Sequence, residues 1–173
     1  MMPTINPITA EIAPSITANG IAGIASMWEE YLGHVSKLKM PVILIPGNHD
    51  ISNTIMYNYW KENIGRTYYS FDYKGRHFLV INTEEHAAPE GAATAEKAQL
   101  NFVLKEIERS RNARHTFVFM HRPLWLEQSK NEIWTPIESA LKDIPYTVFA
   151  GHYHGLTYES RNERPYIVIG ATG

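Results

Sequence analysis

Three short apolar runs in this chain each end in an imidazole. They are "PVILIPGNHD" at 41–50, "HTFVFMHRP" at 115–123 and "YTVFAGHYHG" at 146–155. Runs of this length, bounded by Pro, Gly and polar residues, read as strands too apolar to face water on either side. That is the habit of a sheet covered by helices. In open α/β sheets the ligand site lies beyond the carboxyl ends of the strands. A chain built this way gathers its polar residues at one edge of the sheet, and here they are Asn48, His49, Asp50, His121, His152 and His154.

The segments between the runs supply the helices. Apolar residues at Ile21, Ile24, Trp28, Tyr31, Leu32, Val35 and Leu38 have helical spacing, and Pro41 ends it. Residues 52–63 predict a helix with Ile55, Tyr59 and Trp60 on one side. "TYYSFDYKGRHFLVINTE" predicts a hairpin turning at Lys74-Gly75-Arg76. Residues 85–93 read as a loop. Residues 94–111 predict a helix burying Leu100, Val103, Leu104 and Ile107. "TPIESALK" looks like a helix start, with Thr135 as N-cap, Pro136 in the first turn and Glu138 completing a capping box. Strands are expected at 42–46, 116–120, 146–150 and 165–169. Strands alternating with helices indicate one layered α/β domain over 1–173, with residues 1–20 irregular.

The 173 residues are enough to bury a core, and 44% hydrophobic against 20% charged argues against disorder. A net charge of −2 gives no support to a nucleic-acid or anionic-membrane surface. Residues 1–28 carry one charge, Glu11, yet Pro3, Pro7, Pro14 and Gly20 interrupt them, so neither a leader peptide nor a membrane helix is expected. Without cysteine there is no disulfide and no thiolate metal site, and the redox compartment stays open.

Two histidines one residue apart on extended backbone point to the same side, so "GHYHG" suits a metal, with the flanking glycines letting the chain turn. Asn48 adds an amide oxygen and His121 a third imidazole, while Asp50 beside His49 is placed to hold that ring in one tautomer. Arg122 either pairs with a phosphate or caps a loop. Trp125 and Tyr153 are candidates for a pocket wall. Against this stands the plainer reading of hydrogen-bonded loop histidines. It suits His77, His86 and His115, and it explains any one of the strand ends better than all three.

As a set, "GNHD" at 47–50, "FMHRP" at 119–123 and "GHYHG" at 151–155 resemble the calcineurin-like metallophosphoesterases, the purple acid phosphatase relatives included. The resemblance runs from about Trp28 to the C-terminus. It implies an α/β/β/α sandwich, here N-terminally truncated, with two metal ions drawn from manganese, iron and zinc, and hydrolysis of a phosphoester in a small molecule or phosphoprotein. By motif, Asn48, His121 and His152 are the implied ligands of one metal and His154 of the other. His49, oriented by Asp50, is the implied catalytic imidazole.

The family pattern also has two earlier motifs, D-x-H and G-D-x-x-D. This chain has no Asp before Asp50, and the acids there are Glu11, Glu29 and Glu30. Glu29 and Glu30, like His34, fall on the polar side of a predicted helix. The expectation is a site holding two ions, one or none, according to what replaces the lost carboxylates. The chain then acts as a hydrolase, or as an inactive or partner-completed binding module of the same fold. A sheet lacking strands also has an open edge, which predicts a homo-oligomer or a complementing chain.

Overall fold

The structure, a computed structural model, describes residues 20–171. The expected irregular segment at 1–19, with Glu11, lies outside the described residues. The chain builds a six-stranded sheet in the order β1-β2-β3-β4-β6-β5. These strands are β1 (Tyr69–Tyr73), β2 (Arg76–Ile81), β3 (Thr116–Met120), β4 (Tyr146–Ala150), β5 (Thr157–Arg161) and β6 (Arg164–Val168). The four inner strands β2, β3, β4 and β6 are parallel, and β1 and β5 pair antiparallel at the flanks.

Two helices cross between the parallel strands, α3 (Ala92–Arg109) from β2 to β3 and α4 (Asn131–Leu141) from β3 to β4. Both crossings advance the sheet in the same direction, and the right-handed rule then puts both helices on one face. Their buried residues Val103, Ile107, Ile137 and Leu141 meet Leu79, Ile81, Val118, Met120, Tyr146, Val148 and Tyr166 of the strands in one apolar cluster. The strand pleat sends the alternate residues to the other face. There Phe71, Phe78, Phe117, Phe119 and Phe149 lie half-buried, ring beside ring across four strands, with centroids 4.7–6.4 Å apart.

Helices α1 (Gly20–Val35) and α2 (Thr54–Tyr59) form a second cluster, in which Ile24, Trp28, Leu44, Ile51, Met56, Tyr57 and Trp60 are buried. Asn53 caps α2 by accepting hydrogen bonds from the Ile55 and Met56 amides. The helix continues as one π-helical turn over Trp60–Ile64.

Five expectations need correction. Residues 42–46 form no strand: the segment is irregular, with Pro46 buried, Leu44 buried in the second cluster and the Leu44 carbonyl accepting from the Tyr69 hydroxyl. An apolar run becomes a strand only where another backbone pairs with it, and none does here. The α2 face that is buried is Met56, Tyr57 and Trp60, with Ile55 exposed. Helix α4 begins at Asn131, not Thr135, so Pro136 lies inside it; burial of Trp134 draws the extra turn into helix despite the missing N–H. Strand β5, "TYESR", was not expected, because a mostly exposed flank strand has no apolar period to announce it. Finally, 152–154 is not extended: His152 and His154 have φ of 72° and 54°.

Candidate metal centre

The carboxyl ends of β2, β3 and β4 lie side by side, and the residues that follow them make the site. His121 comes directly after β3. The Gly151 amide donates to the His121 carbonyl at 2.9 Å, which holds the β4 end against it. The 47–50 turn is closed by Asp50 and Ile51 amides donating to the Gly47 carbonyl, both at 3.0 Å, and by the Gly47 amide donating to Asp50 Oδ2 at 2.9 Å. Asp50 is thus buried in the scaffold of its own turn, while His49 is exposed at the tip. Burial, and then the Asp50 charge, pushes the Tyr31 hydroxyl of α1 up to about 12.

Three donor atoms converge above the strand ends. His121 Nε2 is 2.6 Å from Asn48 Oδ1, His152 Nδ1 is 3.0 Å from the same oxygen, and the two ring nitrogens are 3.2 Å apart. Gly47 makes the approach possible, since a Cβ there would sit 2.9 Å from His121 Nδ1. The His152 backbone takes a left-handed conformation that costs a non-glycine residue about 1–2 kcal/mol, a strain tolerated where a side chain must be aimed. His154, also left-handed, is exposed two residues on.

The donor set and its spacing test whether a metal fits. Donor atoms 2.0–2.2 Å from one ion, at octahedral to tetrahedral angles, lie about 2.8–3.6 Å apart. Two edges of the triangle fall in that range and the Asn48–His121 edge is slightly shorter. An amide oxygen and two imidazoles suit manganese, iron or zinc. The set is neutral, however, and among the described residues no group of three or more His, Asp or Glu is placed to hold an ion. Without an ion the same atoms form a hydrogen-bonded cluster, with Asn48 Oδ1 able to accept from both rings.

A second layer surrounds His152. Arg122 Nη1 lies 3.2 Å from His152 Nε2, Arg122 Nε donates to Glu84 Oε1 at 2.8 Å, and the Arg122 amide donates to Thr83 Oγ1 at 3.2 Å. Glu84 is fully buried and also accepts from the Thr83 hydroxyl at 2.9 Å. Glu84 and Thr83 escaped sequence reasoning, although they follow β2 as His121 follows β3. Their signal was position at a strand end, without a histidine to mark it.

The remaining candidates separate cleanly. Trp125 is buried in the core, its ring 5.0 Å from Tyr166, whereas Tyr153 is half-exposed with its ring 5.2 Å from His152. His77 is buried with Nδ1 2.7 Å from Asp72 Oδ1, and His115 Nε2 lies 3.0 Å from Thr147 Oγ1. Glu29, Glu30 and His34 are exposed on α1.

The family described as calcineurin-like phosphoesterase matches residues 19–156, a span that includes Asn48, His121, His152 and His154. Serine/threonine-protein phosphatase CPPED1 of Homo sapiens is 31% identical over 140 residues, covering 70% of this chain and 45% of that protein. The Pongo abelii protein of the same name is 30% identical with the same coverage. The chain therefore spans less than half the length of these curated relatives. Among solved structures, "GAP50 the anchor in the inner membrane complex of Plasmodium" superposes with a TM-score of 0.60 at 14% identity, covering 76% of this chain and 49% of that one. At that identity the likeness is one of fold.

Proposed function

The chain belongs to the calcineurin-like phosphoesterase family, and from that premise we propose that its strand-end cluster is part of a metal-dependent phosphoester hydrolase centre. The observation that carries the reading is the convergence of Asn48 Oδ1, His121 Nε2 and His152 Nδ1 within 3.2 Å of one another, from three separate parts of the chain. These three residues are the proposed holders of one ion, and His154 of a second. A bound ion supplies positive charge against phosphoryl oxygens and lowers the pKa of a water. His49, exposed at the tip of a turn braced by Asp50, is the proposed proton donor to the departing oxygen. Tyr153 offers an aromatic wall beside His152. The proposed substrate is a phosphoester of a small molecule or of a phosphoprotein, the latter in keeping with the names of the relatives. No described helix is long and apolar enough to cross a membrane.

One observation favours a second reading. No carboxylate joins the triangle among the described residues, and two cations held close together need negative charge between them. On that reading the chain is a binding module that keeps the fold and is inactive alone, or is completed by a partner. Two measurements separate the readings. Metal content per chain is taken first, on protein purified without a metal-binding tag. Hydrolysis of an aryl phosphate with manganese follows, for the native chain and for His49→Ala. Turnover abolished by the substitution supports the hydrolase. Equal background in both supports the binding module.

A further inference from the structure

The face of the sheet turned away from α3 and α4 is apolar from one flank to the other. To the five phenylalanine rings the strand register adds Tyr73 of β1, Ile167 of β6 and Tyr158 of β5. Ile169 prolongs β6 on the same side, its amide donating to the Ala150 carbonyl at 2.7 Å. Burial alternates along the strands: Thr116, Val118 and Met120 are buried with Phe117 and Phe119 half-buried between them, and Tyr166 and Val168 are buried with Ile167 half-buried. The five rings belong to neither apolar cluster and are not packed against either, and Tyr73, Tyr158 and Ile169 are exposed. One corner is covered, where Val80 is buried and the Tyr69 hydroxyl donates to the Leu44 carbonyl. Parallel strands occur almost always with both faces covered. Here the two crossing helices cover one.

Charge decides what can lie against this surface. Among the described residues the face carries no carboxylate. Its basic groups, Arg76 and His115, stand at the amino ends of β2 and β3, and burial, then Arg164 and Arg76, hold the His115 ring below the ordinary histidine range. A strongly charged partner gains nothing from such a surface. A second copy of the same face meets it with no like charges opposed across the middle, and a net charge of −2 adds little repulsion between copies. The size is also adequate. Six strands about 4.8 Å apart and five residues of about 3.3 Å each span about 29 by 17 Å. With the covered corner taken off, each copy offers on the order of 400 Å² before the relief of the side chains is counted. Two copies therefore remove on the order of 1,000 Å² from water, the lower end for a specific interface and the size of a reversible one.

We propose that the phenylalanine face is the contact of a reversible two-fold dimer, in which two copies of this chain pack sheet against sheet. Sheets packed this way lie about 10 Å apart, with strands within about 30° of alignment. The contact uses the same patch on both copies. It needs neither a metal nor activity. It also differs from edge pairing beside β5, which leaves the rings of β3 and β4 in solvent.

The test uses the whole 173-residue chain, which has no cysteine of its own. Light scattering across a dilution series is expected to fall from about twice 19.8 kDa toward that mass. Phe119→Thr keeps a strand-forming residue and removes one ring from each copy, so dimerisation should weaken about tenfold or more. Ile167→Cys then reports on the face itself. Its labelling by a maleimide should slow as protein concentration rises, in step with the dimer fraction, while Lys105→Cys on the exposed side of α3 labels at one rate throughout. A monomer at every concentration overturns the proposal. So does a dimer in which Ile167→Cys labels at a rate independent of concentration, which assigns the contact to the sheet edge. A thiol protected in the monomer overturns it as well, because the chain then covers the face itself. Should Phe119→Thr fail to fold, as read by circular dichroism, the labelling of Ile167→Cys in the otherwise native chain decides alone.

Discussion

Gly47 and the two left-handed histidines show how tightly single residues are constrained at the strand ends. A methyl group at 47 meets the His121 ring at 2.9 Å, so Gly47→Ala is expected to displace that ring. Zinc affinity should fall at least tenfold, on the order of 1.4 kcal/mol, with a smaller change in urea stability. Affinity and stability measured on the same sample check this, and a change in stability alone counts against the triangle as a binding site. His154 poses the opposite case. Its φ of 54° favours glycine, so His154→Gly should raise stability by about 1 kcal/mol in urea denaturation. If His154 also holds an ion, the same variant binds less metal, and the residue is strained for function. Most of this cluster was legible in the sequence, because asparagine and histidine directly after apolar runs are uncommon enough to stand out. The left-handed turn at 152–154 was not, since a histidine pair one residue apart reads equally as extended backbone. The Arg122–Glu84 pair is joined only through the pairing of β2 with β3, which no local pattern records.

Among the elements, those with a strong period were legible and those made by tertiary context were not. Strands β3 and β4 lie where their apolar runs predict, and the hairpin turn at Lys74-Gly75 has φ of 49° and 75°, the primed geometry that two-residue loops demand. Residues 42–46 misled because apolar content signals burial, and burial alone does not make a strand. Helix α4 misled because Thr-Pro-x-Glu is a start signal that the buried Trp134 overrides. Pro136 inside the helix removes one backbone hydrogen bond, so Pro136→Ala should stabilise the protein by about 1 kcal/mol in thermal or urea unfolding. No gain would instead place the helix start at Thr135, where proline is harmless. The loop before α3 has its own sensitivity. Burial holds the Glu85 carboxyl above the usual range, outweighing hydrogen bonds from Asn82, Tyr57 and Thr67. The folded chain thus keeps a proton that the unfolded chain loses above about pH 4.3. This contribution to stability is complete below that pH and is lost as pH rises through the higher folded-state value. Glu85→Gln should flatten the stability profile from about pH 4 upward in urea titrations at stepped pH, and an unchanged slope would show that Glu85 is not its source.

At the scale of the molecule, the sheet ends in β1 on one side and in the mostly exposed β5 on the other. Beside β5, Leu156, Tyr158 and Ile169 are exposed, and a net charge of −2 gives little repulsion between copies. Such a flank invites pairing with another chain. Light scattering after size exclusion should return a mass above the 19.8 kDa of one chain, reduced toward it by Tyr158→Lys, and a monomer at every concentration would count against this expectation. The arrangement of the strands also sets an order of events in time. Each flank is a hairpin closed by two residues, Lys74-Gly75 or Asn162-Glu163, and such hairpins form in about 1–10 μs. The parallel pairs β2–β3 and β3–β4 must first close crossings of roughly thirty residues, and such long-range pairing is slow. Asn48, His121 and His152 meet only across those inner strand ends, so they come together at the close of folding. Zinc present during refolding should therefore leave the folding rate unchanged and slow unfolding alone. In stopped-flow traces the ion would act as a clasp on a finished molecule and not as a seed for making one.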